Sequence, residues 1–273
     1  TGRRSIVHAD GRLANGGNRI VGQFSNDCGF VTVDAGRLSV GNNLLVGDGA
    51  ETAYGEIQIH GGAVSVGDVV ATGDLNLGDN AGATGIVTIT GGSLTVSRYI
   101  YVGNILGDEV SGGGYGIFTA NNAAITNGSN FGAAINDYTY GYVGITNCDV
   151  SLGGAFYAGN DQFATGEVYI IGGTLALGSG YDDDLNVATS GGANTGAYGR
   201  VNIDVDGANI ALDGINVAQT VSADGVLLIT NVNTTVVMDN AILVAGQEGA
   251  TGTVRIARLL RLGGISLGAD INI

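Results

Sequence analysis

The chain has no proline, no tryptophan and no lysine, and only two cysteines and two histidines in 273 residues. Each shortage removes an explanation. His8 and His60 stand alone, with no His-x-His or Cys-x-x-Cys spacing, so the ligand sets of zinc sites are not encoded. No apolar run approaches the ~18 residues of a membrane-spanning helix, and no segment follows the 3.6-residue period of a long helix. The chain opens without Met or a signal peptide, as a mature product of processing would.

Positive charge is also scarce. All ten cations are arginines, and they crowd the ends: Arg3, Arg4, Arg12, Arg19 and Arg37, then Arg255, Arg258 and Arg261. Between residues 38 and 252 only Arg98 and Arg200 stand against 21 of the 25 acidic residues. That middle carries −19 and each end +2, which sums to the net charge of −15. A phosphate backbone would be repelled, so nucleic acid is excluded as a partner. Divalent cations or a basic partner are favoured. Cys28 and Cys148 fall about four repeats apart, roughly 19 Å at the strand spacing. A disulfide needs Cα atoms within ~7 Å, so an intrachain bond is not expected.

What the chain has is glycine, 51 residues of it, in a repeat. Gly29, Gly55, Gly85, Gly116, Gly141, Gly166, Gly199, Gly225 and Gly252 each open a unit, and a first copy near Arg4 makes about ten. An alternating apolar pair follows, such as Ile57/Ile59, Val87/Ile89 and Val168/Ile170. A glycine-rich corner precedes a second pair, such as Val64/Val66 and Leu94/Val96. A third pair closes the unit, such as Leu75/Leu77 and Ile100/Val102. Period-two alternation is the strand signal, and a repeat of this length means stacked units that cannot bury their apolar face alone. The expectation is an all-β, single-domain parallel β-helix over residues 1–273, with about ten three-strand rungs. Such a rod is on the order of 45–50 Å long. The corner pairs Gly61-Gly62, Gly91-Gly92, Gly172-Gly173 and Gly263-Gly264 are read as bends that need positive φ.

Four groups are candidates for chemistry. Asp204, Asp206 and Asp213, near Asp182, Asp183 and Asp184 of the preceding rung, are the best paired carboxylates for acid and base work, with Arg200 the one nearby cation. Asp182, Asp183 and Asp184 also offer oxygens for Ca²⁺, as do Gly47-Asp48-Gly49 and Gly78-Asp79-Asn80. Tyr54, Tyr115, Tyr140 and Tyr198 each precede a boundary glycine, as a stacking ladder or a strip for sugar rings. Asn127-Gly128-Ser129 and Asn233-Thr234-Thr235 match the glycosylation acceptor.

The unit Gly-x-Val-x-Ile-x-Gly-Gly-x-Leu-x-Val…Leu-x-Val-Gly, clearest at Gly55, Ile57, Ile59, Gly61-Gly62, Gly85, Val87, Ile89, Gly91-Gly92, Leu94 and Val96, resembles the repeats of bacterial autotransporter passengers and of PEP-CTERM-type exported repeat proteins. The resemblance implies export, a right-handed β-helix and a place on or outside the cell. It implies no catalytic residue, because the shared motif is architectural. The functional expectation is a non-enzymatic extracellular structural protein that self-assembles into a surface fibre or layer. The alternatives are an adhesin that binds glycans or surfaces through its loops, and a polysaccharide lyase or glycoside hydrolase. No cofactor other than calcium is implied. Assembly would run through the ends: Arg3, Arg4, Arg12, Arg255, Arg258, Arg261, Leu267, Ile271 and Ile273, with Ile271 and Ile273 read as the third pair of the last rung.

Overall fold

The structure, a computed structural model, describes residues 4–8, 12–24, 26–49, 52–67, 73–104, 113–178, 183–189, 196–238, 240–257, 259–261, 264–267 and 271–272. The described residues form strands and no helix. Strands of successive coils pair parallel and in register: Gly55 with Gly85, Gly85 with Gly116, Gly141 with Gly166, Gly199 with Gly225. The result is a parallel β-solenoid, and coils are numbered below by their boundary glycine, with Gly29 opening coil two.

Three strands per coil make two sheets. The first and second strands join in one 19-stranded sheet, and the third strands stack in a sheet of ten. The join occurs in coils six and seven, where Tyr140–Leu152 and Thr165–Leu177 each run 13 residues through the corner. A left-handed residue does the bending: Asn147 (φ 50°) lies over Gly172 (φ 66°), and pairing resumes at Cys148 with Gly173. The same column holds Gly61, Gly91 and Asn122, all with positive φ. The boundary glycines answer a different need. None of Gly55, Gly85 and Gly141 has positive φ, but a Cβ there would overlap the carbonyl oxygen of Val21, Val46 or Val102. That close approach packs one sheet against the end of the other.

The expected inward pairs are buried throughout coils two to nine, and the first pair of coil ten with them. Coil five, which breaks the aliphatic pattern, fills its interior differently. Phe118, Phe131 and Phe156 stack through coils five and six, Phe131 on Phe156 at 5.3 Å between centroids. Ala120, Ala133 and Ala158 take the partner inward positions, which conserves volume. Asn127 replaces the usual aliphatic residue, and its buried amide donates to the carbonyl of Arg98 at 2.6 Å.

The last coil departs from the sequence reading by one strand. Leu259–Arg261 is the second strand, paired with Val236 and Val237 across a register shift. Ile265 and Leu267, expected as the second pair, pair with Ile242 and Val244 in the ten-stranded sheet. Ile271 pairs with Val254, so it opens a further level and is not a third strand. Gly263-Gly264 therefore is not the corner of Gly61-Gly62: Gly264 begins the third strand, and Gly263 lies outside the described residues. The short corner after Ile256 removed the residues that the repeat uses to mark its first bend.

Candidate functional site: an aromatic surface on coils five to seven

Eight of the eleven tyrosines fall between residues 99 and 169. Six aromatic side chains there form three pairs, each bridging neighbouring coils. Tyr115 stacks on Tyr140 at 4.6 Å with planes 8° apart. Tyr138 lies against Phe163 at 5.1 Å, and Tyr142 against Tyr169 at 5.9 Å. Alternation on strand Tyr140–Leu152 points Tyr140 and Tyr142 to the same outer face, because Gly141 and Val143 point inward. Tyr138 continues that line round the corner. The sequence reading found the Tyr115–Tyr140 ladder but not its neighbours, because Tyr138 and Phe163 lie in loops with no apolar period.

The corner pair is unusual in its backbone. The third residue before the boundary glycine is left-handed in coils two to four and eight to ten, at Asn26, Thr52, Gly82, Gly196, Ser222 and Gly249, with φ from 57° to 89°. Tyr138 (φ 58°) and Phe163 (φ 53°) hold the same position in coils six and seven. A bulky residue there is strained by about 1–3 kcal/mol. The two residues keep 40% and 43% of their surface exposed. Their mutual contact offsets only ~0.5–1.5 kcal/mol. The next coil leaves room for them: a Cβ at Gly196 would meet the Phe163 ring at 3.1 Å.

Two recesses flank the rings. One, of about 310 Å³, is lined by Thr88, Thr90, Thr119, Asn121, Thr146 and Tyr142. It lies where Gly144 leaves the outer face without a side chain, and Thr119 Oγ1 donates to Thr88 Oγ1 at 3.3 Å across its floor. The other, of about 270 Å³, lies on the ten-stranded sheet between Tyr101 and Tyr157, with Asn130, Asn136, Asn160 and Asp161 around it. Gly132 separates the two tyrosines in register, so they stand two coils apart, roughly 10 Å. Burial first, then the neighbouring phenols, pushes the Tyr101 hydroxyl up to about 12. Tyr157 is raised by burial and by Asp184 and Asp183. A further cleft, about 530 Å³ at the first coils, is lined by Arg19, Gln23, Phe24, Asp27, Cys28 and Phe30.

The paired carboxylates expected for catalysis do not form one cluster. Asp204 and Asp206 sit exposed at the first corner, where Asp206 accepts from Asn233 Nδ2 at 2.6 Å. Asp213 sits before the third strand, and its N–H donates to the carbonyl of Asp183 at 2.9 Å. Arg200 lies over the Tyr169 ring at 5.9 Å, not among those acids. Of the calcium candidates, Asp182 lies outside the described residues, Asp183 is buried, and Asp184 accepts from Asn216 Nδ2 at 3.3 Å. No three His, Cys, Asp or Glu side chains gather among the described residues.

Gly78-Asp79-Asn80 is a polar interior site. The fully buried Asp79 carboxyl accepts from Asn104 Nδ2 at 2.9 Å and Asn76 Nδ2 at 3.3 Å, and Asn136 Nδ2 donates to Asn104 Oδ1 at 2.5 Å. Burial, then Asp48, lifts the Asp79 pKa to about 7 despite those amides. Arg98 clamps Asp74 through Nε at 2.6 Å and through Nη2, and lies over Tyr99. Asn127 is buried and is no glycosylation acceptor.

Among the end residues, Arg255 is exposed, and Arg4, Arg12, Arg261, Leu267 and Ile271 lie on strands. Arg3, Arg258 and Ile273 lie outside the described residues. Both cysteines are free: Cys28 is half-buried, whereas Cys148 is buried and its thiol donates to Thr146 O at 3.3 Å. His60 is exposed, with Nδ1 3.0 Å from Asp34. Comparison with protein-family models, curated proteins and solved structures finds no match for this chain.

Proposed function

We propose that the protein is a non-catalytic, extracellular β-solenoid that binds glycans through the aromatic surface of coils five to seven. Export is what the resemblance of its repeats implies. The reading is carried by Tyr138 and Phe163: two strained, exposed rings on successive coils, at a position that elsewhere holds Gly, Asn, Ser or Thr. Strained residues that stay this open to solvent cluster at functional sites. Sugar rings present C–H faces that stack on such rings, while their hydroxyls take hydrogen bonds from carboxamides and carboxylates. Asn136, Asn160 and Asp161 flank the corner for that purpose. A binding role, not a catalytic one, is supported by the separation of Asp204 and Asp206 from Asp213 and by the placement of Arg200 on Tyr169.

The test is retention on insoluble polysaccharides. The wild type is retained, and Tyr138→Gly/Phe163→Gly, which suits the left-handed backbone, is not retained although its thermal melt is unchanged or higher. Equal retention of both proteins would refute the site. Turnover of any polysaccharide that disappears in Asp204→Ala would refute the non-catalytic reading.

A further inference from the structure

The recess beside Tyr142 and the charges around the rings specify the kind of glycan, and this step rests on the glycan reading. We infer that the ligand is an uncharged glycan, built of neutral hexoses, pentoses or N-acetylhexosamines, and that the threonine-lined recess holds one of its sugar units. The polar groups lining the recess are neutral: the hydroxyls of Thr88, Thr90, Thr119 and Thr146, the amide of Asn121 and the phenol of Tyr142. Hydroxyls both donate and accept, as do the hydroxyls of a neutral sugar. Tyr142 forms the aromatic wall, and its contact with Tyr169 extends that wall to the next coil.

The surrounding charge is one-sided. Asp137 and Asp161 both accept from the Gln162 N–H, at 3.1 and 2.9 Å, beneath the Tyr138–Phe163 pair. Glu167 lies between Tyr142 and Arg200 in register and accepts from the Tyr169 hydroxyl at 3.3 Å. Asp184 and Asp183 act on Tyr157 at the other recess. Of the two arginines in the middle of the chain, Arg98 clamps Asp74, and Arg200 stands two coils from Tyr142, over the Tyr169 ring and next to Glu167 in register. The chain has no lysine to supply another. A uronate or sialate would bring a carboxylate into this field, and the recess lining holds no cation to receive it. Like charges at short range in a partly dry site disfavour binding, and the middle of the chain, at −19, adds a long-range repulsion. A neutral chain meets neither penalty.

Isothermal titration calorimetry of the whole chain at physiological ionic strength, with EDTA present, tests this. The probes are neutral hexamers of glucose, N-acetylglucosamine and xylose, and acidic hexamers of galacturonate and guluronate. At least one neutral hexamer should bind about tenfold or more tighter than either acidic one. Tyr142→Ala should weaken that binding about tenfold or more, and Thr119→Val severalfold, with unchanged melting temperatures. Preference for an acidic hexamer would overturn the uncharged class and leave the glycan reading intact. Binding of neutral hexamers that ignores Tyr142→Ala and Thr119→Val would overturn the recess as the subsite. Binding of no hexamer, neutral or acidic, would overturn both this inference and the glycan reading.

Discussion

The corner before the boundary glycine exists in two versions. At coils three and four it carries Thr52 and Gly82, and the nearby Tyr54 is tied down: its hydroxyl donates to Glu56 Oε2 at 2.7 Å and its ring packs on Phe30. At coils six and seven the same backbone, with the same positive φ, carries Tyr138 and Phe163, and their rings face solvent. The strand pairing does not register the change, since Thr84 meets Tyr115 as Tyr140 meets Thr165. Architecture therefore resides in the inward pairs and the glycines, and individuality resides in a few loop positions that the coil merely holds in place.

If that division holds, the interior should be equally sensitive in both regions. Ile89→Asp in coil four and Ile203→Asp in coil eight each place an unpaired carboxylate in a fully buried stack. Each should lose more than about 4 kcal/mol or fail to fold. Thr95→Asp, on an exposed position of coil four, should change stability by less than about 0.5 kcal/mol. Urea denaturation followed by circular dichroism measures all three, and a well-tolerated Ile203→Asp would mean that the far coils are packed by a different rule.

The inward pairs were legible because burial on one face of a strand forces period-two alternation, and the repeat then confirms each assignment many times. Coil five escaped that reading because Phe118/Ala120 and Asn127 satisfy the same volume with other residues. The last coil was misread because a Gly-Gly followed by Ile265 and Leu267 occurs in both kinds of strand, and only pairing distinguishes them. The proposed binding surface was half legible. Tyr115 and Tyr140 announce themselves beside glycines, whereas Tyr138 and Phe163 matter for their backbone conformation, which no composition records. The split of Asp204 and Asp206 from Asp213 was equally hidden, because it depends on which corner of the coil each one occupies.

A second comparison follows one column along the axis. The residue after the left-handed Gly78 is Asp79; after Gly103 it is Asn104, and after Gly159 it is Asn160. Only the first of these three can ionise. Its folded pKa, about 7, exceeds the ordinary 3.8. Between those values the folded chain holds a proton that the unfolded chain has lost, so stability falls as pH rises from about 4 to 7 and is flat above. The full loss is at most about 4 kcal/mol. Asp79→Asn, which copies Asn104 of the next coil, should remove the Asp79 share of that slope and raise stability at pH 8 by up to that amount. Equilibrium denaturation across pH checks it. An unchanged slope in the variant would show that the proton is held elsewhere.

The smallest effect bears most directly on the two corners. If Tyr138 and Phe163 are kept for function, the fold should be better off without them. Replacing both with Gly relieves two strained residues, about 1–3 kcal/mol each. Against this stand the lost ring contact, ~0.5–1.5 kcal/mol, and the greater chain entropy of two glycines, ~0.5–1 kcal/mol each. The balance favours the variant by about 1 kcal/mol. Grafting in the opposite direction should reverse the sign. Ser222→Phe puts a ring on the left-handed position of coil nine, where the next coil offers Gly249 and no aromatic partner. It should cost about 1–3 kcal/mol with nothing to offset it. Thermal and urea midpoints of the two variants, measured beside the wild type, decide the matter. A destabilised Tyr138→Gly/Phe163→Gly together with a neutral Ser222→Phe would mean that the rings hold the corner together, and would remove the argument that they are there to bind.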